Sequence, residues 1–289
     1  MEYRQLGRTD IRVPELGLGT HRYTGGVGPL RRGIELGASM VDTAESYGTE
    51  HIVGKALAGM RRQVIIATKF SPVHNRYRDV LEAADSSLRL LDTDYIDLYQ
   101  LHHFTPAIPL AETLGAMEDL VDSGKVRFIG VCNFSVKQLK LSQAALGKHP
   151  VVSNQIDFSL ITRDVEEGLF PYCREFGITI IAHSPLGRGL PNIRFRDRGN
   201  ALSNVAAEMG GSEAQVALNW CISHENVIAI PKGNSGDHVE DNCNASGWRL
   251  SPEQFALLEE RIKPFRRRGD SEAALRKAAR RILVRLHLR

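Results

Sequence analysis

The sequence predicts a single-domain α/β protein with a (β/α)8 barrel over residues 1–261 and a basic C-terminal extension over residues 262–289. Three observations lead to this prediction. Short apolar runs alternate with longer helical segments, roughly 30 residues apart, which suits repeated βα units. The runs are nearly continuously apolar and do not alternate, as in parallel strands buried on both faces. The length of 289 residues, with 42% hydrophobic side chains, accommodates the ~250 residues that such a barrel needs.

Each candidate strand is a short β-rich run, and the candidate helices lie between these runs. The strands, in chain order, are Leu16–Gly19, Ser39–Asp42, Val64–Lys69, Tyr95–Leu101, Val126–Val131, Val151–Gln155, Ile178–His183 and Val227–Ile230. The helices are Leu30–Leu36, Glu50–Leu57, Asp79–Leu91, Leu110–Ser123, Val136–Leu146, Val165–Phe176 and Ser212–Ser223. Glycines fall near several helix ends, as at Gly37, Gly124 and Gly177, where a residue with positive φ is favoured.

A doubly wound sheet that binds a dinucleotide is the alternative architecture. It requires the pattern G-x-G-x-x-G directly after a strand. The nearest matches begin at Gly17 and Gly187, and both lack the third glycine. The sequence also lacks the glycine-rich P-loop pattern that binds nucleotide phosphates. The barrel is therefore the favoured architecture.

Composition excludes several classes of protein. The longest apolar stretch, Ile178–Ala182, is far shorter than the ~20 residues that cross a bilayer. Residues Met1–Asp10 are polar and charged, so we expect no secretory signal. The cysteines are widely spaced and form no C-x-x-C pair, which favours reduced thiols in the cytoplasm over disulfides or a metal site; they are Cys132, Cys173, Cys221 and Cys243.

The formal net charge of +3 is unevenly distributed. Residues 261–289 carry a net charge of +9, and the preceding part of the chain carries −6. Because the positive charge is confined to one end, we do not expect a nucleic-acid partner. Apolar residues recur at helical spacing within Glu272–Leu288, which predicts a basic amphipathic helix. We expect this helix to pack on the barrel rather than contact a membrane, and the sequence leaves the oligomeric state open.

Polar residues stand where the predicted strands end. In a (β/α)8 barrel these ends meet at one face, where the active site is built. They are Asp42 with Tyr47 after it, Lys69, His102, Asn133, Gln155, His183 and Lys232. The sequence therefore predicts a site at the C-terminal face of the barrel.

Four of these side chains have complementary proton chemistry. A tyrosine has an ordinary pKa of about 10, and a neighbouring ammonium such as that of Lys69 lowers it. Tyr47 would then donate a proton at neutral pH. Asp42 would keep Lys69 charged and oriented, and His102 would polarise a carbonyl oxygen. This set suits the protonation of an oxygen while another group attacks the attached carbon.

The sequence resembles the aldo-keto reductase superfamily from about Tyr3 through Leu258. The motifs that carry the resemblance are Leu16–Thr20, Asp42–Gly48, Ala67–Lys69, Asp97–His102, Gly130–Phe134, Asn154–Gln155, Ser184–Gly187 and Ile230–Lys232. The resemblance implies NAD(P)H-dependent reduction of an aldehyde or ketone to an alcohol. It assigns Tyr47 as the acid, Lys69 as its activator, Asp42 as the orienting carboxylate and His102 as the partner of the substrate oxygen. The substrate would be a small carbonyl compound.

The resemblance also implies a set of cofactor-binding residues along the C-terminal face. Gly19, Thr20 and Ser184 are expected to bind the cofactor. The residues expected at the nicotinamide are Cys132, Asn133, Gln155 and His183. Those expected at the phosphates are Pro185, Leu186 and Arg188. Those expected at the adenosine end are Lys232, Asn234, His238, Asp241 and Asn242. No metal is expected.

The chain departs from the family pattern at a few positions around the tetrad. His183 stands where an aromatic ring usually stacks on the nicotinamide, Cys132 replaces a serine, and His103 replaces a common tryptophan. Gly233 replaces a hydroxyl residue and His238 an arginine near the 2′-phosphate. Histidine is mostly neutral at pH 7 and binds phosphate less firmly than arginine. We therefore expect NADP(H) to be preferred, with NAD(H) as a second cofactor.

Two other functions remain as hypotheses. A cofactor-binding redox sensor without catalysis would bind NADP(H) and show no turnover. A Schiff-base aldolase would use Lys69 as its nucleophile, which requires a neutral, desolvated amine. The adjacent Asp42 and Tyr47 favour a charged lysine instead.

Overall fold

The computed structural model describes residues 1–265 of the chain. Its strands are β1 (Tyr3–Gln5), β2 (Arg12–Pro14), β3 (Leu18–Gly19), β4 (Met40–Asp42), β5 (Ile65–Phe70), β6 (Ile96–Leu101), β7 (Val126–Cys132), β8 (Val151–Asp157), β9 (Thr179–His183) and β10 (Val227–Ala229). Its helices are α1 (Val27–Glu35), α2 (Glu50–Leu57), α3 (Tyr77–Leu91), α4 (Leu110–Asp122), α5 (Val136–Ala145), α6 (Leu169–Phe176), α7 (Leu190–Arg196), α8 (Ala201–Met209), α9 (Glu213–Ile222), α10 (Gly236–Cys243) and α11 (Pro252–Arg261).

The strands β3 to β10 form one parallel sheet in chain order. The sheet closes on itself through a parallel bridge between Leu16 and Ala229. Two backbone hydrogen bonds strengthen this seam, from Gly17 N to Ala229 O at 2.8 Å and from Gly19 N to Pro231 O at 3.0 Å. The prediction of a (β/α)8 barrel is confirmed.

All seven predicted helices are present, with ends shifted by a few residues. The structure adds four helices that the sequence analysis did not include: α7, α8, α10 and α11. Serine side chains cap α9, α10 and α11, each accepting a hydrogen bond from a backbone amide of the first turn. These caps satisfy amides that would otherwise lack a partner.

An antiparallel hairpin of β1 and β2 precedes the barrel. The side chains of Leu6 and Val13 are fully buried, and they pack into an apolar cluster with residues from several barrel strands, among them Met40, Leu98 and Ile228. The hairpin therefore closes one end of the barrel. Its strands are only three residues long, too short to show a pattern in the sequence.

Successive side chains of a strand point to opposite faces, so residues two apart lie one above the other inside a barrel. Met40 and Ala67 belong to the apolar cluster that closes the barrel. Asp42 and Lys69 follow two residues later, and they form a buried ion pair. A polar layer therefore lies directly on the apolar one, at the C-terminal ends of the strands.

The last described residues continue to pack on the barrel beyond residue 261. Ile262 is buried and forms an antiparallel bridge with Asp197, and Phe265 N donates to Ile161 O at 2.8 Å. The helix predicted over Glu272–Leu288 lies outside the described residues. Among residues 1–265, no helix is both long and apolar enough to cross a bilayer.

Candidate active site

A buried ion pair forms the base of the site. Lys69, near the end of β5, donates from Nζ to Asp42 Oδ1 at 2.6 Å and to Thr43 O at 2.8 Å. The Lys69 side chain is fully buried and that of Asp42 is 2% exposed. Burial lowers the pKa of Lys69, but the negative charge of Asp42 outweighs it, so the net pKa is raised. The amine therefore stays protonated, which disfavours the Schiff-base hypothesis.

Tyr47 lies above this pair at the end of a 3-10 turn, Glu45–Tyr47. Gly48 follows with φ of +66°, a conformation that lets the chain turn sharply into α2. The Lys69 Nζ is 4.8 Å from the centroid of the Tyr47 ring. Burial raises the pKa of Tyr47 while Lys69 lowers it, and the net direction is upward. The expectation of a lowered pKa was therefore wrong for the protein alone, because desolvation of the phenolate outweighs the ammonium.

Three threonine hydroxyls hold the base of the Tyr47 turn. Thr49 Oγ1 lies 2.9 Å from Thr43 Oγ1 and 3.0 Å from Thr20 Oγ1, so hydrogen bonds join the two ends of the turn. Thr20 also donates to Asp42 O at 3.0 Å. The Thr20 side chain is fully buried. Its hydroxyl is therefore committed to the protein, and its expected contact with a cofactor stays a prediction.

His102 follows β6 and completes the predicted tetrad. Its ring centroid is 5.6 Å from that of Tyr47, nearly perpendicular to it, and 4.9 Å from that of His103, nearly parallel to it. Burial, reinforced by the Lys69 charge, lowers the pKa of His102 to about 3. The ring is therefore neutral at physiological pH and can donate one hydrogen bond without carrying a charge.

The structure adds Gln100, a buried residue to which the sequence analysis assigned no role. Its Nε2 donates to Asp42 Oδ2 at 3.2 Å, and Gln155 Nε2 donates to the same oxygen at 2.7 Å. A Cβ on Gly130 would lie 2.9 Å from Gln100 Cγ, so the glycine makes room for the amide. The signal was present along β6 and directly after it, where Leu98, Gln100 and His102 lie two residues apart and alternate with outward residues.

The residues expected around the nicotinamide lie on β7, β8 and β9. Asn133 is exposed, with φ of +59°, and its Oδ1 is 3.4 Å from His183 Nε2. Burial lowers the pKa of His183 to about 4. Cys132 is buried and its thiol donates to Gln100 Oε1 at 3.8 Å; burial raises its pKa to about 12. Cys132 and Gln155 are thus hydrogen-bonded within the polar layer, to Gln100 and Asp42 respectively. Asn133 and His183 contact each other instead.

The segment after β9 forms a curled loop. Positive φ angles occur at Ser184, Gly187, Arg188 and Gly189. Gly187 N donates to Ser184 O at 2.8 Å and Gly189 N to Leu186 O at 2.9 Å. These two amides are therefore used within the loop itself. The exposed Arg188 forms an ion pair with Asp157 at 2.9 Å, and the expected contacts of this loop with the cofactor phosphates stay predictions.

The residues expected at the adenosine end lie around β10 and α10. Lys232 and His238 are exposed, and Lys232 Nζ donates to Arg22 O at 3.1 Å. Asn234 Oδ1 accepts from Thr24 N at 3.2 Å. A Cβ on Gly233 would lie 2.6 Å from Val239 Cγ2, so the packing of α10 favours glycine where the family carries a hydroxyl residue.

Two further residues expected at the adenosine end, Asp241 and Asn242, lie on α10. Asp241 accepts from Ser212 Oγ at 2.9 Å and from Gln215 Nε2 at 2.7 Å. Both carboxylate oxygens therefore link α10 to the start of α9. Asn242 is 7% exposed. The contacts of both residues with a cofactor stay predictions.

One cluster outside the barrel ends has the composition of a metal site. Glu166, His224 and Glu259 each have a potential ligand atom within 4.8 Å of the others. His224 Nε2 is 3.5 Å from Glu166 Oε1, and Arg163 Nη1 is 3.5 Å from Glu259 Oε1. These contacts lie between the segment before α6, the end of α9 and α11, apart from the tetrad.

Comparison with known proteins identifies the class of enzyme. The Aldo/keto reductase family matches residues 16–263. The chain therefore belongs to this family, whose members are oxidoreductases that act on carbonyl or alcohol groups.

Individual relatives support the assignment. The methylglyoxal reductase YeaE of Escherichia coli (strain K12) is 36% identical over 262 residues, covering 86% of this chain and 91% of that protein. The thermostable aldo-keto reductase Tm1743, solved with the inhibitor epalrestat, superposes with a TM-score of 0.83 at 36% identity, covering 90% of this chain and 99% of the other. An aldo/keto reductase from Klebsiella pneumoniae, solved with NADP and acetate, has a TM-score of 0.81 at 36% identity, with 89% and 94% covered.

Proposed function

We propose that this protein reduces a small, polar carbonyl compound to an alcohol with NADP(H), and that Tyr47 donates the proton. The observation that carries the proposal is the buried pair of Lys69 and Asp42 at 2.6 Å, with the Lys69 Nζ 4.8 Å from the Tyr47 ring centroid. A proton donor, an ammonium and an orienting carboxylate therefore stand at one point of the C-terminal face. This is the face at which barrel enzymes carry out their chemistry.

The path of the proton follows from the chemistry of the tetrad. As the substrate carbon is reduced, its oxygen gains negative charge and takes the proton from the Tyr47 hydroxyl. The Lys69 ammonium stabilises the tyrosinate that remains, and Asp42 keeps Lys69 charged. Neutral His102 donates a hydrogen bond to the same oxygen and orients it. The cofactor, when bound, supplies the hydride, and the protein supplies alignment and electrostatics.

The fit of the cofactor rests on the donors around the barrel mouth. The exposed guanidinium of Arg188 suits its phosphates, and the exposed amide of Asn133 suits a carboxamide. Lys232 and His238 are exposed on the adenosine side. NADP occurs in the solved Klebsiella relative. We infer that NADP(H) is preferred and that NAD(H) binds as a weaker second cofactor, because His238 is a poorer phosphate ligand than arginine.

The substrate class follows from the histidines at the mouth. His21 lies with its ring centroid 4.9 Å from that of Tyr47, and His103 stacks on His102. Burial lowers the pKa of both His21 and His103, so these rings are neutral, polar hydrogen-bonding groups. Such a mouth suits a small oxygenated carbonyl compound, and the relative YeaE is named a methylglyoxal reductase.

We place the enzyme in the cytoplasm as part of this proposal. All four cysteines are free and buried, which agrees with a reducing compartment.

The test is turnover of NADPH with a carbonyl panel that includes methylglyoxal and an apolar aromatic aldehyde. We expect methylglyoxal to be reduced with the higher kcat/KM. Tyr47→Phe should lower kcat by at least about a thousandfold, because the proton donor is lost, and should leave NADPH binding, measured by fluorescence quenching, within about twofold. Full activity of this variant would exclude the assigned proton donor. NADPH binding without turnover of any compound would instead favour the redox sensor.

A further inference from the structure

A second buried polar cluster lies behind Lys69, on the outer face of the barrel wall. It consists of Glu50, Thr68, Ser87 and Tyr99, which we call the Glu50 cluster. Their side chains are all buried, none more than 1% exposed. They come from four elements: the start of α2, β5, α3 and β6. None of them has a role in the proton transfer described above.

The Glu50 cluster combines a carboxylate acceptor with hydroxyl donors. Thr68 Oγ1 donates to Glu50 Oε1 at 2.6 Å. Burial raises the pKa of Glu50 and of Tyr99, and the Ser87 hydroxyl, close to both, opposes that rise. The other polar atoms of the cluster are Glu50 Oε2, Ser87 Oγ and Tyr99 OH, all buried. These are one carboxylate acceptor and two hydroxyl donors, and Thr68 and Tyr99 are aligned on neighbouring strands. A buried carboxyl is costly unless it is hydrogen-bonded, so this arrangement indicates a function that keeps it in place.

Two residues of the Glu50 cluster are close in sequence to residues of the tetrad. Thr68 precedes Lys69 on β5, and the two side chains point to opposite faces of the sheet. Glu50 follows Tyr47 by three positions and begins α2. The hydroxyls of Thr43 and Thr49 already join the ends of the Tyr47 turn at 2.9 Å. The bond from Thr68 to Glu50 then connects the exit of that turn to the strand that carries Lys69.

We propose that Glu50 is a positioning residue of this reductase, which acts through Thr68 to hold the Tyr47 turn against the strand of Lys69. The inference rests on the proposed role of Tyr47 as proton donor. The ammonium stabilises the tyrosinate only when it stays close to the ring, and small displacements of catalytic groups reduce rates strongly. The bond between Glu50 and Thr68 controls that distance from the far side of β5.

Thr68→Val removes the hydroxyl at nearly constant shape, and Thr68→Ser keeps it. We expect Thr68→Val to lower kcat about tenfold with the NADPH dissociation constant unchanged. The alkaline fall of kcat should move to higher pH by about half a unit, because a less well placed Lys69 stabilises the tyrosinate less. Thr68→Ser should restore both the kcat and the pH profile.

Glu50→Leu removes the acceptor, and Glu50→Gln keeps an acceptor oxygen. Glu50→Leu should reproduce the effect of Thr68→Val, and the double variant should be no slower than either single one, because both break the same bond. Glu50→Gln should recover most of kcat. If Glu50→Leu does not fold, the Thr68→Val and Thr68→Ser pair decides the question.

The control is Asp85→Asn. Asp85 lies on α3, the helix that carries Ser87, and its carboxylate forms an ion pair with Lys125 at 2.6 Å. The kcat of this variant should equal that of the wild type. The proposal is overturned if Thr68→Val keeps the wild-type kcat and pH profile. It is equally overturned if kcat falls only in proportion to the folded fraction, with an unshifted profile. Tyr47→Phe in the same assay separates the two failures, because an active Tyr47→Phe variant would reject the proposed function itself.

Discussion

The acidity of Tyr47 is set by groups that the fold brings together from different elements. Burial of its ring raises the pKa and the Lys69 ammonium lowers it, with a net rise in the protein alone. A neutral tyrosine is therefore the resting form, and a proton is available for transfer over a wide pH range. The sequence predicted the direction that Lys69 imposes, but it does not show how deeply the ring is buried, and burial determined the outcome.

Cofactor discrimination is also decided at single residues. His238→Arg should raise the ratio of kcat/KM for NADPH over NADH about tenfold, because arginine gives a permanently charged, bidentate partner for phosphate. Lys232→Met should lower the same ratio. Steady-state kinetics with each cofactor measures both effects. An unchanged ratio in His238→Arg would mean that this side chain does not face the 2′-phosphate.

At the scale of elements, Asp97 on β6 links three neighbouring strands of the barrel. Its Oδ2 accepts from Arg61 Nη2 at 2.8 Å and from Ile66 N at 3.0 Å, and its Oδ1 from Arg127 Nη1 at 2.9 Å. The Asp97 side chain is 1% exposed. Two arginines and a backbone amide therefore share one buried carboxylate.

Asp97→Ala should lower the free energy of unfolding by about 3 kcal/mol, because the buried Ile66 amide and the largely buried Arg61 guanidinium lose their carboxylate partner. Urea denaturation followed by circular dichroism measures the change. Asp122→Ala is the matched control, since Asp122 forms ion pairs with Lys148 and His149 at an exposed position, where such pairs contribute little. Equal losses in the two variants would contradict the importance of burial here.

The elements differ in how readily the sequence predicts them. The parallel strands were predictable because each is a mostly apolar run, and the tetrad because its residues stand at or just after the ends of those runs. The hairpin of β1 and β2 was not, since its stability comes from Leu6 and Val13 packing under distant strands. Gln100 escaped assignment because an amide on a buried strand has no chemistry of its own until Asp42 and Gln155 are seen beside it.

At the scale of the whole molecule, half-buried histidines make the folded state sensitive to acid. Burial lowers the pKa of His102 to about 3 and that of His183 to about 4, against an ordinary value of about 6.5. The unfolded chain therefore binds protons below about pH 6.5 that the folded chain does not. Stability that is present at pH 7 is lost progressively as the pH falls below about 6.5.

His102→Asn should remove part of this sensitivity. Between pH 7 and pH 5, the free energy of unfolding should fall by about 1 kcal/mol less in the variant than in the wild type, after allowance for the partial exposure of the ring. Urea titrations at the two pH values give the comparison. His51→Asn, at an exposed position on α2, should behave as the wild type. An identical fall in His102→Asn would show that His102 is protonated equally in both states.

The seam of the barrel has a consequence for the order in which a newly made chain becomes an enzyme. Asp42, Tyr47, Lys69 and His102 all emerge from the ribosome within the first 102 residues. The hydrogen bonds from Gly17 to Ala229 and from Gly19 to Pro231 cannot form until residue 231 has been synthesised. During that interval β3 keeps one unpaired edge, the kind of edge at which chains aggregate. The proton-transfer residues are thus synthesised well before β10, the strand that must form before the barrel around them can close.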